Sequence, residues 1–364
     1  MKKPKNNQQL AIPFPAEVLG AGHANNPEIV GPETHELRTS PIPDPAKEFL
    51  QRHGFTEGTI ENLATAVYRS RLQKGKYSYT KGANRKDRYI ESPDHLLRKL
   101  QKWMLRGPLA PYTELVSDIA CGIDSRQLPE MVEPHCGNRY FFKLDIEDAY
   151  TSVDLARLAV ILASQLDTTV EQWLSILERF ASGEKDGLAV GSKLSPLLFN
   201  LYMAPLDDEF TRIAENGEMT VTRYMDDIVF SSPSPIGKRR AKTIKDLLSS
   251  YNLKTNQHKV RYHDLEKDGP FMIVGAQINP SGSWHIANKG LKNILAEING
   301  IRNSQQRDGN IDPSDIGVAR GLHGYVVSSQ QGSHRAQSHG LESSIVRCFW
   351  QIENAYQARH KGLL

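Results

Sequence analysis

Val221-Thr222-Arg223-Tyr224-Met225-Asp226-Asp227-Ile228-Val229-Phe230 sets two adjacent carboxylates between β-prone, largely apolar stretches. Such acids serve structure poorly, because like charges repel and each must leave water to sit beside a core strand. A divalent cation would remove that conflict. A third carboxylate has a similar setting upstream, where Tyr140-Phe141-Phe142-Lys143-Leu144-Asp145-Ile146 reads as a strand with an acid at its far end. Mg²⁺ takes oxygen ligands, commonly one or two carboxylates plus substrate phosphates, so Asp145 with Asp226 makes a sufficient cradle, and Asp227 assists. The chemistry this suggests is two-metal phosphoryl transfer, with ions roughly 3.5–4 Å apart. An Asp at a strand end is by itself usually a turn or cap residue. The pairing of the two segments, and their order along the chain, is what carries the reading.

The 364 residues are 39% hydrophobic and 24% charged, an ordinary globular composition and long enough for two or three lobes around separate cores. Lys and Arg number 45 against 42 Asp and Glu, a net charge of only +3 that says little about a polyanionic partner. Distribution says more. From Arg69 to Arg106 there are twelve basic residues against three acids, interleaved with Tyr68, Tyr77, Tyr79, Tyr89 and Trp103. That mixture suits phosphates and stacked bases, and equally a solvated face. Cys121, Cys136 and Cys348 are too scattered for a disulfide scaffold or a zinc motif and fit a reducing cytoplasm. No apolar run approaches the ~18 residues of a membrane span, and no apolar segment follows the polar amino terminus. The expectation is a soluble cytoplasmic protein without a membrane partner.

Up to about Pro45 the chain is rich in Pro, Gly, Asn and Glu without periodicity, which predicts an extended or disordered arm. Apolar spacing predicts two helices around Gly54, a strand at Arg88-Tyr89-Ile90 and an amphipathic helix after Pro93. It then predicts one helix over 155–180, another from Ser195-Pro196 to Phe210, strands over 224–231 and 271–279, and a helix over 238–250 between them. A helical segment follows Ile286. The order matches a split βαβ unit, an antiparallel sheet backed by helices, so the expected fold class is α+β.

Taken together, these segments resemble bacterial reverse transcriptases of the retron and group II intron lineage, from about Arg85 to Tyr325. Arg88-Tyr89-Ile90-Glu91-Ser92-Pro93 resembles the fingers segment that closes on a triphosphate, and His135 stands where many of these enzymes have a histidine. Asp145-Ile146-Glu147-Asp148-Ala149-Tyr150 resembles motif A, Gly187 to Asp207 motif B, Tyr224 to Asp227 motif C and Leu253 to Lys259 motif D. The resemblance implies a right-hand polymerase. Its parts would be an extension over 1–45, fingers over 46–140 with part of 155–186, a palm over 141–285 and a helical thumb over 286–364.

Within that resemblance the residues have physical roles. Arg88, with Lys86 beside it, can neutralise β- and γ-phosphates through a fork that bonds two oxygens. Tyr150 can place a ring under the sugar of an incoming nucleotide, where a 2′-hydroxyl would clash. Gly191 and Ser192 allow close backbone approach to nucleotide and template, and Lys259 can protonate departing pyrophosphate. Two departures stand out. Ala189-Val190-Gly191 lacks the glutamine that relatives usually carry before the glycine, and Ile273-Val274-Gly275 replaces the Val-Thr-Gly typical of retron enzymes.

The implied activity is RNA-directed DNA synthesis with Mg²⁺, or alternatively Mn²⁺, held by Asp145, Asp226 and Asp227. Implied partners are a structured RNA template and primer, the DNA product and deoxynucleoside triphosphates. An effector protein is a further candidate, in a retron-like or antiviral defence setting. A template-independent or RNA-synthesising polymerase, and a non-catalytic RNA-binding palm scaffold, remain open, as does the oligomeric state.

Overall fold

The structure, a computed structural model, describes residues 41–73, 88–121, 128–164, 168–308, 313–330, 332, 334 and 340–360. The expected N-terminal arm to residue 40 and the whole of the basic stretch from Lys74 to Lys86 lie outside the described residues, as do the side chains of Arg88 and Tyr89.

Helix α1 (Asp44–Arg52) carries Pro45 in its first turn, and α2 (Glu57–Leu63) is capped by the Thr56 hydroxyl, which accepts from the Thr59 N–H. Gly54, at φ +85°, makes the break expected between them. Strands β1 (Tyr68–Gln73) and β2 (Arg88–Pro93) pair antiparallel, and α3 (His95–Arg106) begins where the Asp94 carboxylate accepts from the Leu97 N–H at 2.7 Å. Next come β3 (Ala120–Cys121), α4 (Leu128–Val132) and β4 (Tyr140–Asp145). The helix expected over 155–180 is two, α5 (Leu155–Ala163) and α6 (Val170–Phe180). Thr169 and Gln172 form a capping box, so a new helix starts there rather than the first continuing. Helix α7 (Ser195–Glu215) starts where expected but tolerates Pro205 and passes Phe210.

Strands β5 (Thr220–Tyr224) and β6 (Asp227–Ser232) follow, then α8 (Lys238–Ser250), β7 (Arg261–Asp264) and the single turn α9 (Leu265–Asp268). The strand expected over 224–231 is thus a hairpin, with its acids at the turn. The strand expected over 271–279 is likewise two, β8 (Phe271–Ile273) and β9 (Ala276–Ile278), because Val274 (φ +41°) and Gly275 (φ +83°) turn the chain back. Strand β10 (Trp284–Ile286) completes that three-stranded sheet, and helices α10 (Asn288–Asp308), α11 (Pro313–Ser329) and α12 (Gly340–His360) close the chain.

The chain divides into two compact units. One comprises Met1–Ser117, Glu147–Pro205 and Ser250–Leu253; the other Asp118–Ile146, Leu206–Ser249 and Lys254–Leu364. Within the first, Trp173 packs on Phe49 and edge-on against Tyr112, with centroids 5.3 and 5.9 Å away.

The second unit holds a five-stranded sheet in the order β3-β5-β6-β4-β7. It is antiparallel except at one edge, where the short β3 runs parallel to β5. That edge differs from the expected all-antiparallel sheet because the Arg223 N–H bonds the Ile119 carbonyl at 2.8 Å and draws the strand alongside. Phe141, Val229, Phe271, Ile278, Trp284, Ile294, Ile298, Val326, Ile345 and Ile352 form one continuous buried cluster through this unit. Among the described residues no helix is long and apolar enough to cross a membrane.

Candidate catalytic and metal-binding site

Three strand ends of the second unit converge on the acids. Strands β5 and β6 are joined by the two-residue turn Met225-Asp226, closed by the pair Tyr224↔Asp227. On the other flank of β6, Asp145 is the direct partner of Asp227 in the β4 ladder. The Ile146 N–H then donates to the Asp226 carbonyl at 3.0 Å, which binds the end of β4 to the turn. Two carboxylates directly opposite one another on an antiparallel pair repel. Asp145 is buried, with 5% of its surface exposed, while Asp226 and Asp227 are half-buried.

Burial and mutual repulsion both act on the ionisation of these groups. Burial raises the Asp226 carboxyl above the usual range, and the Asp145 and Asp227 charges raise it further. Burial also raises Asp145, with Lys259 pulling it back and Asp227 pushing it up. Two ammonium groups answer part of this charge. Lys259 Nζ donates to Asp145 Oδ1 at 2.7 Å, and Lys143 Nζ donates to Asp227 Oδ2 at 2.9 Å. The Lys259 loop is tied to the same strand end, since the Asn256 N–H donates to the Asp145 carbonyl and the Lys259 N–H to the Asn256 carbonyl.

Lys143 did not emerge from the sequence reading, although a signal was present. It lies two residues before Asp145 and so shares its face of the sheet, diagonally across from Asp227. Arg223 and Asp207 were also passed over. Their side chains are fully buried and form a two-bond ion pair at 2.8 and 2.6 Å, and Arg223 Nη1 also donates to the Met225 carbonyl at 2.9 Å.

The fit to a divalent cation can be tested on this geometry. Among the described residues no three His, Cys, Asp or Glu side chains are already gathered to hold a metal ion. The donors nevertheless suit one. They are all hard carboxylate oxygens, more numerous than their ammonium partners, and crowded at the mouth of a hairpin where substrate phosphates could complete a Mg²⁺ shell.

The remaining sequence-named residues belong to the first unit, apart from Lys86, which lies outside the described residues. Arg88 opens β2. The Tyr150 ring stands edge-on to Phe199 with centroids 5.6 Å apart, and its carbonyl accepts from the Leu188 N–H at 2.8 Å. Gly191 adopts φ +120° and lies so close to β2 that a Cβ there would come 2.8 Å from the Glu91 carbonyl oxygen. Glycine is required at that position. Ser192 is buried, and its hydroxyl accepts from the Leu194 N–H.

The loop carrying Gly191 is gripped by two buried side chains that the sequence did not single out. Glu91 accepts from the Glu184 and Val190 N–H groups, and Gln101 Oε1 accepts from the Lys193 N–H. The structure therefore gathers Asp145, Asp226, Asp227 and Lys259 in one unit, and places Tyr150, Gly191 and Ser192 around a separate loop in the other.

His135 is fully buried in the second unit. Its Nδ1 lies 2.7 Å from Ser231 Oγ and its Nε2 2.8 Å from Thr222 Oγ1. The Thr222 hydroxyl donates to the Met131 carbonyl, so Nε2 must carry the ring proton and Nδ1 must accept from Ser231. Burial lowers its pKa to about 3. This histidine is neutral and architectural.

An α+β chain whose hairpin of paired aspartates faces a third aspartate on the neighbouring strand has the palm of a right-hand polymerase. Residues 75–278 match the family model described as reverse transcriptase (RNA-dependent DNA polymerase), and the chain belongs to that family. It is 26% identical over 181 residues to the retron Ec86 reverse transcriptase of Escherichia coli, covering 49% of this chain and 55% of that protein. It is 20% identical over 252 residues to the Escherichia coli retron Ec83 reverse transcriptase, covering 66% and 78% respectively. Over 209 residues it is 25% identical to the Myxococcus xanthus retron Mx65 reverse transcriptase, covering 53% and 48%. The chain thus spans about half the length of two of these curated relatives. Among solved structures, telomerases from Candida albicans and Candida tropicalis are similar at TM-scores of 0.41 and 0.44, each 11% identical, covering 79% and 80% of this chain and 59% and 61% of those chains.

Proposed function

We propose that the protein is an RNA-directed DNA polymerase that copies a structured RNA in a retron-like, antiviral setting. One observation supports the chemistry above the rest: Asp145 and Asp227 oppose each other at a strand end, with Asp226 in the adjoining turn, and among the described residues only Lys143 and Lys259 pair with them. In this reading Asp145 and Asp226 hold Mg²⁺, or Mn²⁺ in its place, and Asp227 orients the pair. The metal, when bound, supplies activation of a primer 3′-hydroxyl and stabilisation of charge on the triphosphate.

The protein's own groups do the rest. Lys259, half-exposed and held at Asp145, stands ready to turn toward leaving pyrophosphate and give it a proton. The Gly191 loop, fixed by Glu91 and Gln101, presents backbone where a glutamine amide would otherwise act, because the Val190 side chain is wholly apolar. Tyr150 excludes a 2′-hydroxyl, and Arg88 with Lys86 neutralises the triphosphate. Likeness to retron reverse transcriptases supports the polymerase activity and the retron-like setting, and the structured template and antiviral role belong to the same proposal.

Purified protein given a primed RNA template, Mg²⁺ and either deoxynucleotides or ribonucleotides tests this. Extension that requires both RNA and deoxynucleotides is the expected result. Extension without template, or with ribonucleotides alone, would replace the reading by one of the other polymerases, and no extension under any condition would favour a scaffold.

A further inference from the structure

The carboxylates occupy one face of the five-stranded sheet, and the side chain that holds their turn in place reaches it from the other. Residues alternate along β5, so Thr220, Thr222 and Tyr224 share the face of Asp227 and Asp145, whereas Val221 and Arg223 point to the back. There the Arg223 fork meets Asp207, from the segment of α7 that belongs to this unit, through two bonds and with both side chains fully buried. A buried ion pair is a costly way to fill a core, since apolar residues of similar volume often serve stability as well. What apolar residues cannot do is supply the remaining nitrogen. Arg223 Nη1 donates to the carbonyl of Met225, the first residue of the Met225-Asp226 turn.

That carbonyl is a place where a hold is required. Two-residue hairpin turns call for positive φ at the first central position, which glycine or asparagine adopts easily. Met225 is held there at φ +53° with a full side chain. A methionine turn left to itself has other conformations open to it, and each would move Asp226 relative to Asp145.

Resting on the polymerase reading above, we infer that Arg223, anchored by Asp207, is a positioning residue that fixes the Met225-Asp226 turn and thereby the separation of the metal-binding carboxylates. Arg223 touches no reacting atom. It acts through the Met225 carbonyl, and Asp207 acts by aiming the guanidinium. A lysine at 223 could neutralise Asp207 but could not span both the carboxylate and the carbonyl.

The deciding comparison is between Arg223→Lys, the apolar double variant Asp207→Leu with Arg223→Met, and the parent protein. Removing either partner alone would strand a buried charge, so the double variant separates stability from positioning. Thermal melting should show both variants folded. Mn²⁺ alone, titrated into each protein and followed by electron paramagnetic resonance, should bind about tenfold more weakly in both, the scale on which metal sites respond to loss of a supporting group. In primer extension, kcat should fall about 10²-fold, the scale of a 1 Å misplacement, with KM for the deoxynucleotide unchanged. Parental Mn²⁺ affinity in a folded Arg223→Lys protein would overturn the inference even if the double variant failed to fold. Absence of extension by the parent would instead sink the polymerase reading, and the Mn²⁺ titration would still judge Arg223.

Discussion

Two polar clusters occupy opposite ends of the same face of the same sheet, and they are built on opposite rules. At one end Asn138, Ser231, His135 and Thr222 form a chain of neutral hydrogen bonds. Asn138 Nδ2 donates to Ser231 Oγ, Ser231 donates to His135, His135 to Thr222, and Thr222 to the Met131 carbonyl. At the other end Asp145 faces Asp227 beside Asp226, and among the described residues two ammonium groups, Lys143 and Lys259, answer three carboxylates. A buried cluster that satisfies every donor and acceptor explains itself as architecture. One that keeps like charges together gains little as architecture, and under the proposed reading its hard oxygen donors suit a small divalent cation.

The sharpest way to break the comparison is to remove charge at the crowded end. Asp226→Asn should lower primer extension by at least about 10³-fold, the loss expected when a main electrostatic stabiliser goes. The same change should leave melting temperature unaltered or raised, because it relieves repulsion from Asp145. A fall in stability with activity retained would put Asp226 in the architectural class and void the contrast.

The reverse behaviour is expected at the satisfied end. His135→Ala removes a buried ring and leaves two hydroxyls without their partner, so unfolding free energy should drop by about 3 kcal/mol while kcat of the remaining folded protein is kept. Acid should act through the same group. Its pKa is about 3 in the folded chain against 6.5 in the unfolded one, so between those values the unfolded state binds more protons. Stability is then full above pH 6.5 and declines as pH falls toward 3, with a slope approaching about 1.4 kcal/mol per unit. Urea titrations across that range should show His135→Gln losing most of this slope, and an unchanged slope would remove His135 as its source.

The two clusters were unequally legible in the sequence. Asp145, Asp226 and Asp227 could be read because adjacent acids beside apolar β-branched residues have few structural uses, and their strands followed from the flanking pattern. The turn itself could not. No glycine, proline or asparagine interrupts the β-prone stretch at Tyr224-Met225-Asp226-Asp227, and a methionine at positive φ gives no turn signal, so one strand was expected where the chain makes a hairpin. The Val274-Gly275 reversal was missed in the same way, although Gly275 was a usable sign. The break between α5 and α6 lay in a Thr169-to-Gln172 capping box whose threonine interrupts an otherwise continuous apolar stripe. His135, Arg223 and Asp207 were beyond reach for another reason. His135 depends on Thr222 and Ser231, 87 and 96 residues away along the chain, and Arg223 and Asp207 depend on each other across 16 residues, so only the folded sheet and its neighbours bring these groups together.

The smallest expected effect probes whether lysine is already standing in for metal. Lys143 is largely buried, lies on the same face as Asp145, and reaches diagonally to Asp227. If the acids need positive charge, Lys143 supplies part of it in the free protein and must yield some of its hold when a divalent ion arrives. Lys143→Met keeps the length of the side chain and its packing along the strand while removing that competition. Mn²⁺ should therefore bind the variant about tenfold more tightly, equivalent to about 1.4 kcal/mol, and the metal-free variant should melt at a slightly lower temperature because Asp227 loses its partner. Tighter binding together with weaker free-state stability is the signature of competition for one site. Weaker Mn²⁺ binding would mean instead that Lys143 fixes Asp227 for the metal, in the manner of a supporting hydrogen bond, and the crowded end would then be partly preorganised, like its neutral counterpart.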